Sequence, residues 1–176
     1  MNIRPYIKGD EEQIVRLINN TWRSAYDGIF PSEVFDARDK SAEHRISGFE
    51  DKLKNNDRFC FVAEEGLKIA GVMIASNKTD IDSFDNENYA RIIALYIDEK
   101  FQRRGIGKQL FDAFVEEIEK AGQSKFVIGV LKENNKARIA YEKWGGKLTD
   151  YTEDFEIAGV SRKEVFYEYN TEDIEF

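Results

Sequence analysis

Apolar and polar positions follow two periods along this chain, and the switch between them is sharpest at residues 91–120. Ile92, Ile93, Ala94, Leu95, Tyr96 and Ile97 form an unbroken apolar run of strand length, the pattern of a strand covered on both faces. A polar connection at residues 98–104 follows, and then the spacing turns helical. Ile106, Leu110, Phe111, Phe114, Val115 and Ile118 fall along one side, with Lys108, Asp112, Glu116 and Glu119 turned outward.

The same reading organises the rest. Residues 2–7 predict a short first strand, with Pro5 best placed at an edge. Asp10 offers an N-cap to a helix whose stripe is Ile14, Val15, Leu17, Ile18 and Trp22, and Asp27-Gly28 ends it. Pro31 opens a second short helix carrying Val34 and Phe35. Residues 40–55 predict one charged helix with Ile46, Phe49 and Leu53 on its apolar side. Residues 59–63 and 68–75 predict a strand pair turned by Glu65-Gly66-Leu67. Residues 125–131 predict a strand, and 134–144 a helix closed by Gly145-Gly146. Residues 147–157 and 160–169 predict two more strands turned by Ala158-Gly159. Crossovers in the middle and hairpins at both ends imply an α+β or mixed α/β fold with a mostly antiparallel sheet.

Composition narrows the class. A chain of 176 residues with 41% hydrophobic content suits one domain, residues 1–176, burying roughly 70% of its unfolded surface. No apolar run is long enough to span a membrane and no leader pattern opens the chain, so no membrane partner is expected. The single cysteine, Cys60, allows no internal disulfide and points to the cytoplasm; it reads as a small core residue. A net charge of −8 disfavours nucleic acid as a partner. Residues 77–88 form an acidic loop without the central glycine and terminal glutamate of a calcium loop, so a solvated loop and no metal are expected. His44 reads as an exposed helical residue.

Between the central strand and helix lies Gln102-Arg103-Arg104-Gly105-Ile106-Gly107. Glycines at a helix N-terminus let backbone close around an anion, and the first-turn N–H groups and the dipole face it together. Two arginines add charge. A P-loop fails here because Gln stands at 102 and 109, and a dinucleotide fingerprint fails because Leu110 stands where its third glycine belongs.

These residues resemble the acyl-CoA signature of the GNAT N-acetyltransferase superfamily. So do two further segments: Asn134-x-x-Ala137-x-x-x-Tyr141-x-x-x-Gly145, and Trp22-x-x-x-Tyr26-x-Gly28-Ile29-x-Pro31, the latter similar to a branch containing polyamine N-acetyltransferases. The resemblance implies a twisted sheet of about seven strands flanked by helices, and acetyl-CoA as cosubstrate. It implies that the backbone of Tyr96 and Ile97 pairs with the pantetheine arm. Gln102, Arg103, Arg104, Gly105, Ile106, Gly107 and Lys108 would hold the pyrophosphate, with Arg103 or Arg104 reaching the ribose phosphate or serving only as surface charge. Asn134 would fix the pantetheine, its other role being a helix cap. Tyr141 would be the general acid for the departing thiolate, its other role a packed aromatic.

Trp22, Tyr26 and Phe30 are the candidate acceptor-binding residues, with core packing as the alternative. A small-molecule amine, a polyamine in the leading case, suits an acidic protein with aromatic walls; a peptide N-terminus and a non-catalytic CoA sensor are the alternatives. A homodimer is compatible with the resemblance. Many relatives carry Glu on the central strand where this chain has Arg91, so the base must be another carboxylate, a water chain or solvent. Gly146 stands where an aromatic usually follows Gly145, a change expected to alter packing only.

Overall fold

The computed structural model describes residues 1–174. A first strand, β1 (Asn2–Pro5), leads into four helices, α1 (Glu11–Ala25), α2 (Ser32–Lys40), α3 (Ala42–Ser47) and α4 (Phe49–Asn55). Three strands follow, β2 (Arg58–Glu65), β3 (Lys68–Ser76) and β4 (Tyr89–Ile97). A 3-10 turn at Glu99–Phe101 precedes α5 (Ile106–Lys120), β5 (Lys125–Leu131), α6 (Asn135–Lys143), β6 (Lys147–Ile157) and β7 (Val160–Asn170).

The seven strands make one sheet in the order β1-β2-β3-β4-β5-β7-β6. Its central pair, β4 and β5, is parallel, and its other neighbours run antiparallel. That is the mixed, mostly antiparallel sheet the element order predicts. The stripe of α5 buries Leu110, Phe111, Phe114, Val115 and Ile118 on one face with Phe126, Tyr167 and Tyr169 of the sheet. Helices α1–α4 cover the other face with Ile14, Val15, Trp22, Val34 and Phe49, against Val62 and Val72. The loop at 77–88 covers Val127 and Phe166 with Ile81 and Phe84.

Three expectations change. The charged segment 40–55 is two short helices, because the chain pauses at Gly48, the shared cap of α3 and α4. Asp10 stands at the N-cap of α1 without capping it by its side chain; that carboxylate instead binds Arg4 at 2.7 Å and accepts from the Ile7 N–H. The first strand ends at Pro5. The place of the missing aromatic at Gly146 is taken by Tyr169, whose ring would lie 2.7 Å from a Cβ there. Its hydroxyl donates to the Tyr141 carbonyl at 2.8 Å.

One irregularity positions everything that follows. Ile74 faces Ala94 and Ala75 faces Ile92, so Ile93 is an extra residue that bulges β4. The β4–β5 ladder starts at Tyr89 with Lys125 and stops at Ile92 with Ile128. Beyond it β4 stays with β3 as far as Ile97, and β5 stays with β7 as far as Leu131. Residues 94–97 and 129–131 therefore part from one another and leave a fork in the middle of the sheet.

Candidate active site

The upper arm of the fork runs straight into the glycine-rich turn. Gly105, the cap of α5, has φ 76°, a conformation that glycine adopts without steric cost. Arg103 also has a positive φ, 60°, which costs a residue with a Cβ about 1–2 kcal/mol. No acidic residue stands in the first turn of α5, so its N–H groups and dipole present uncompensated positive potential. Gln102 is tied back by its amide, which donates to the Ile97 carbonyl at 3.1 Å. Arg104 is engaged with Glu65 at 2.6 Å and lies over Phe101, and Lys108 is paired with Asp112. Arg103 forms no ion pair among the described residues and stands exposed beside the turn. Ile106 is a core residue, 2% exposed. Gly107 faces Trp144, and a Cβ there would sit 3.2 Å from the ring, so this glycine lets α5 and α6 approach.

Tyr141 and Tyr96 come from opposite sides of the sheet. Tyr141 belongs to the core under α5 and α6, Tyr96 packs on the core under α1, and they meet electrostatically at the fork. Burial holds the Tyr141 phenol well above its ordinary pKa, with Tyr96 and Glu164 adding to the rise. Its hydroxyl makes no hydrogen bond among the described residues. Asn134 caps α6, accepting from the Ala137 N–H at 3.2 Å.

The three candidate acceptor residues are packed inside. Trp22 is 5% exposed, Tyr26 7% and Phe30 4%, with Trp22 and Phe30 stacked at 5.7 Å. The Trp22 indole donates to the Tyr96 hydroxyl at 3.0 Å. The Tyr26 hydroxyl lies within hydrogen-bonding reach of Tyr96 and Asn134. These aromatics thus support the fork from behind, through Tyr96.

Arg91 lies on the same side of the sheet and binds Asp80 of the acidic loop. Burial pushes the Asp80 carboxyl up, but Arg91 beside it outweighs this and leaves it below its usual value. The loop is therefore fastened to β4 rather than merely solvated.

Arg91 occupies the β4 position, and a largely buried carboxylate lies two strands away. Glu164, on β7, lies across Gly129 of β5: a Cβ there would meet Glu164 Cδ at 2.8 Å, with Oε1 closer still. The glycine is what lets this side chain reach towards β4. Burial raises the Glu164 carboxyl above its ordinary pKa; Arg91 opposes the rise, and Glu153 and Asp80 add to it. Glu164 also acts electrostatically on both Tyr96 and Tyr141. The sequence carried two signals for it: a glycine inside an apolar strand, and a glutamate in phase with Phe166 on β7. The site thus holds a carboxylate with a raised pKa, a phenol that makes no hydrogen bond among the described residues, open strand edges and the N-terminal turn of α5.

Among the described residues no group of three or more His, Cys, Asp and Glu side chains is placed to hold a metal, and no helix is long and apolar enough to cross a membrane. Cys60 is buried and its thiol is pushed up to about 12 by that burial.

A mostly antiparallel sheet that forks between its parallel central strands, beside a glycine-capped helix, defines the class of acyl-CoA acetyltransferases. The chain belongs to the acetyltransferase (GNAT) family, whose model matches residues 16–146. It is 28% identical over 159 residues to the uncharacterized N-acetyltransferase YuaI of Bacillus subtilis, covering 89% of this chain and 85% of that protein. Its fold is similar to PaiA N-acetyltransferase from Thermoplasma acidophilum in complex with coenzyme A, with TM-score 0.75, 19% identity, and 96% and 98% of the two chains covered. It is also similar to smu.2055 from Streptococcus mutans UA159, with TM-score 0.71, 28% identity, and 97% and 99% covered. The chain is an acetyl-CoA-dependent N-acetyltransferase.

Proposed function

We propose that the acetyl group passes directly from acetyl-CoA to the primary amine of a small molecule inside the fork between β4 and β5. The observation that carries this reading is the ladder that stops at Ile92 and Ile128, beside the first turn of α5. The thioester supplies the acetyl group; the chain supplies placement and proton traffic.

The edge of β4 at Tyr96 and Ile97, where Gln102 already holds the Ile97 carbonyl, offers its remaining backbone groups to an extended arm, as an added strand would. The first turn of α5 takes the pyrophosphate, with Arg103 rather than the engaged Arg104 reaching the ribose phosphate. The amide oxygen of Asn134 is used in capping and one of its N–H groups lies within reach of Tyr26, which leaves the other for the pantetheine.

A primary ammonium of pKa about 10 must lose a proton before its nitrogen can attack. Glu164 accepts that proton, directly or through a water, and its raised pKa narrows the gap to the amine. The C–N bond forms as the C–S bond breaks, and negative charge on the carbonyl oxygen faces N–H groups near Ile97. Tyr141 gives its proton to the departing sulfur and recovers one from the second proton that the nitrogen sheds as it becomes an amide, while Glu164 releases the first to solvent. A phenol held above its ordinary pKa is a weak acid, but a thiolate in the same buried surroundings is also a stronger base than in water. A non-catalytic sensor would be favoured by the lack of a carboxylate at position 91, and Glu164 supports turnover over that alternative.

Thermal unfolding with acetyl-CoA tests the binding half of this reading. At a ligand concentration of 100 Kd the stabilisation is about 2.7 kcal/mol. An unchanged melting temperature at millimolar acetyl-CoA would rule the reading out.

A further inference from the structure

Helix α2 turns Val34 and Phe35 into the core and, a turn later on the same side, Arg38. The Arg38 guanidinium carbon lies 4.0 Å from the centre of the Trp22 ring, a stacking contact that suits a planar guanidinium. Its Nε is buried without a hydrogen-bond partner, and among the described residues it forms no ion pair. The neighbouring acid, Asp39, is already taken by Arg23 and by Asn19 at 2.8 Å. What lies beside Arg38 instead is a second cation, Arg45, which donates to the Arg38 carbonyl at 2.9 Å.

An unpaired, largely buried cation is costly to keep. Burial lowers Arg38 to about 10, Arg45 pushes the same way, and Tyr96, Tyr26 and Asp39 offset this only in part. Arg38 is still charged at neutral pH. Arg91 makes the contrast plain: its Nε is orphaned too, but Asp80 covers its charge.

The position of Arg38 is as informative as its isolation. It lies over Trp22, whose indole donates to the Tyr96 hydroxyl at 3.0 Å, so this cation stands one ring behind the fork; at that hydroxyl Arg38 and Glu164 act in opposite directions. The aromatic faces nearby are also spoken for. Arg38 lies on Trp22, Trp22 stacks on Phe30, and Arg162 lies 5.4 Å from the centre of Phe30. An ammonium ligand therefore finds these two ring faces occupied by the protein's own guanidinium groups.

We propose that the acceptor is a primary amine that also carries an anionic group, in the simplest case an amino acid, whose carboxylate docks on Arg38 while its nitrogen faces Glu164. This rests on the transfer reading above and specifies the acceptor. It turns away from a polyamine, which would bring a second cation towards Arg38.

The test is acetyl transfer by the wild-type protein to α- and ω-amino acids, each compared with the alkylamine lacking the carboxylate and with a diamine of similar length. A charged hydrogen-bonded pair of this kind supports a preference of about 10- to 100-fold in kcat/KM for the best amino acid over its alkylamine. Arg38→Gln should collapse that ratio to within a few-fold of one, mainly through KM, with stabilisation by acetyl-CoA showing that the variant is folded. Equal or better transfer to the alkylamine or diamine by wild type overturns the proposal, whatever the variant does, and so does a ratio untouched by Arg38→Gln. If no amine is acetylated, the transfer reading fails separately, and the subsite is judged by thermal shift in the presence of CoA. Stabilisation by the amino acid and not by the alkylamine then supports it, and no difference overturns it.

Discussion

The two halves of the β4–β5 pair are built from similar apolar residues and have opposite duties. Below Ile92 the strands are laddered, and Phe126 on β5 is fully buried, parallel to Tyr169 at 4.6 Å and edge-on to Phe114 at 4.9 Å. Above Ile92 a single extra residue in β4 ends the ladder. The groups that meet there are a strand edge, the buried Tyr141 phenol and the largely buried Glu164 carboxylate. A backbone fault of one residue thus separates the part that holds the sheet together from the part to which the proposed mechanism assigns the chemistry.

If that division is real, substitutions on the two sides should fail differently. The largest effect on stability belongs to the laddered half. Phe126→Ala should cost about 3–5 kcal/mol by leaving a cavity among Phe114, Phe111 and Tyr169, read by urea unfolding. The variant that remains folded should keep its turnover. A loss of turnover with unchanged stability would erase the distinction between the halves.

The converse test lies in the fork. Tyr141→Phe keeps the ring contacts with Trp144 and Tyr167 and removes a hydroxyl that bonds nothing among the described residues. Stability should move by about 0.5 kcal/mol or less, while kcat falls about 100-fold and acetyl-CoA affinity stays close to wild type. Unchanged kcat on the best amine would take Tyr141 out of the mechanism, and unfolding would make it a packing residue.

What was legible in the sequence follows the same line. The strand, turn and helix at 91–120 could be read because glycines and apolar periodicity act locally, and the cap at Asn134 could be read for the same reason. The break of residues 40–55 at Gly48 was missed because one glycine inside a helical pattern is tolerated often enough not to end it. Asp10 was misjudged because its partner, Arg4, comes from a different element. Glu164 and Arg38 escaped because each acquires its meaning across the sheet or between helices: Glu164 through the empty space at Gly129, Arg38 through the lack of an ion-pair partner among the described residues. Arg38 did leave a trace, as a charge in step with Val34 and Phe35.

The most direct measurement is kcat against pH for wild type and Glu164→Gln, with acetyl-CoA and the best amine both saturating. Glu164 must be ionised to take a proton, so wild-type kcat should rise with pH through a carboxyl pKa lifted above its ordinary value by burial, and then level off. The substitution should lower the plateau by about 100-fold or more and abolish that acidic limb. The linkage sign gives a second reading on the same protein. A carboxyl whose folded pKa is raised weakens the fold above that pKa and regains stability as pH falls towards its unfolded value, so Glu164→Gln should be as stable as wild type or more so at neutral pH. A variant with the wild-type plateau and the same acidic limb would contradict the account, because the proton would then be leaving the amine by another route.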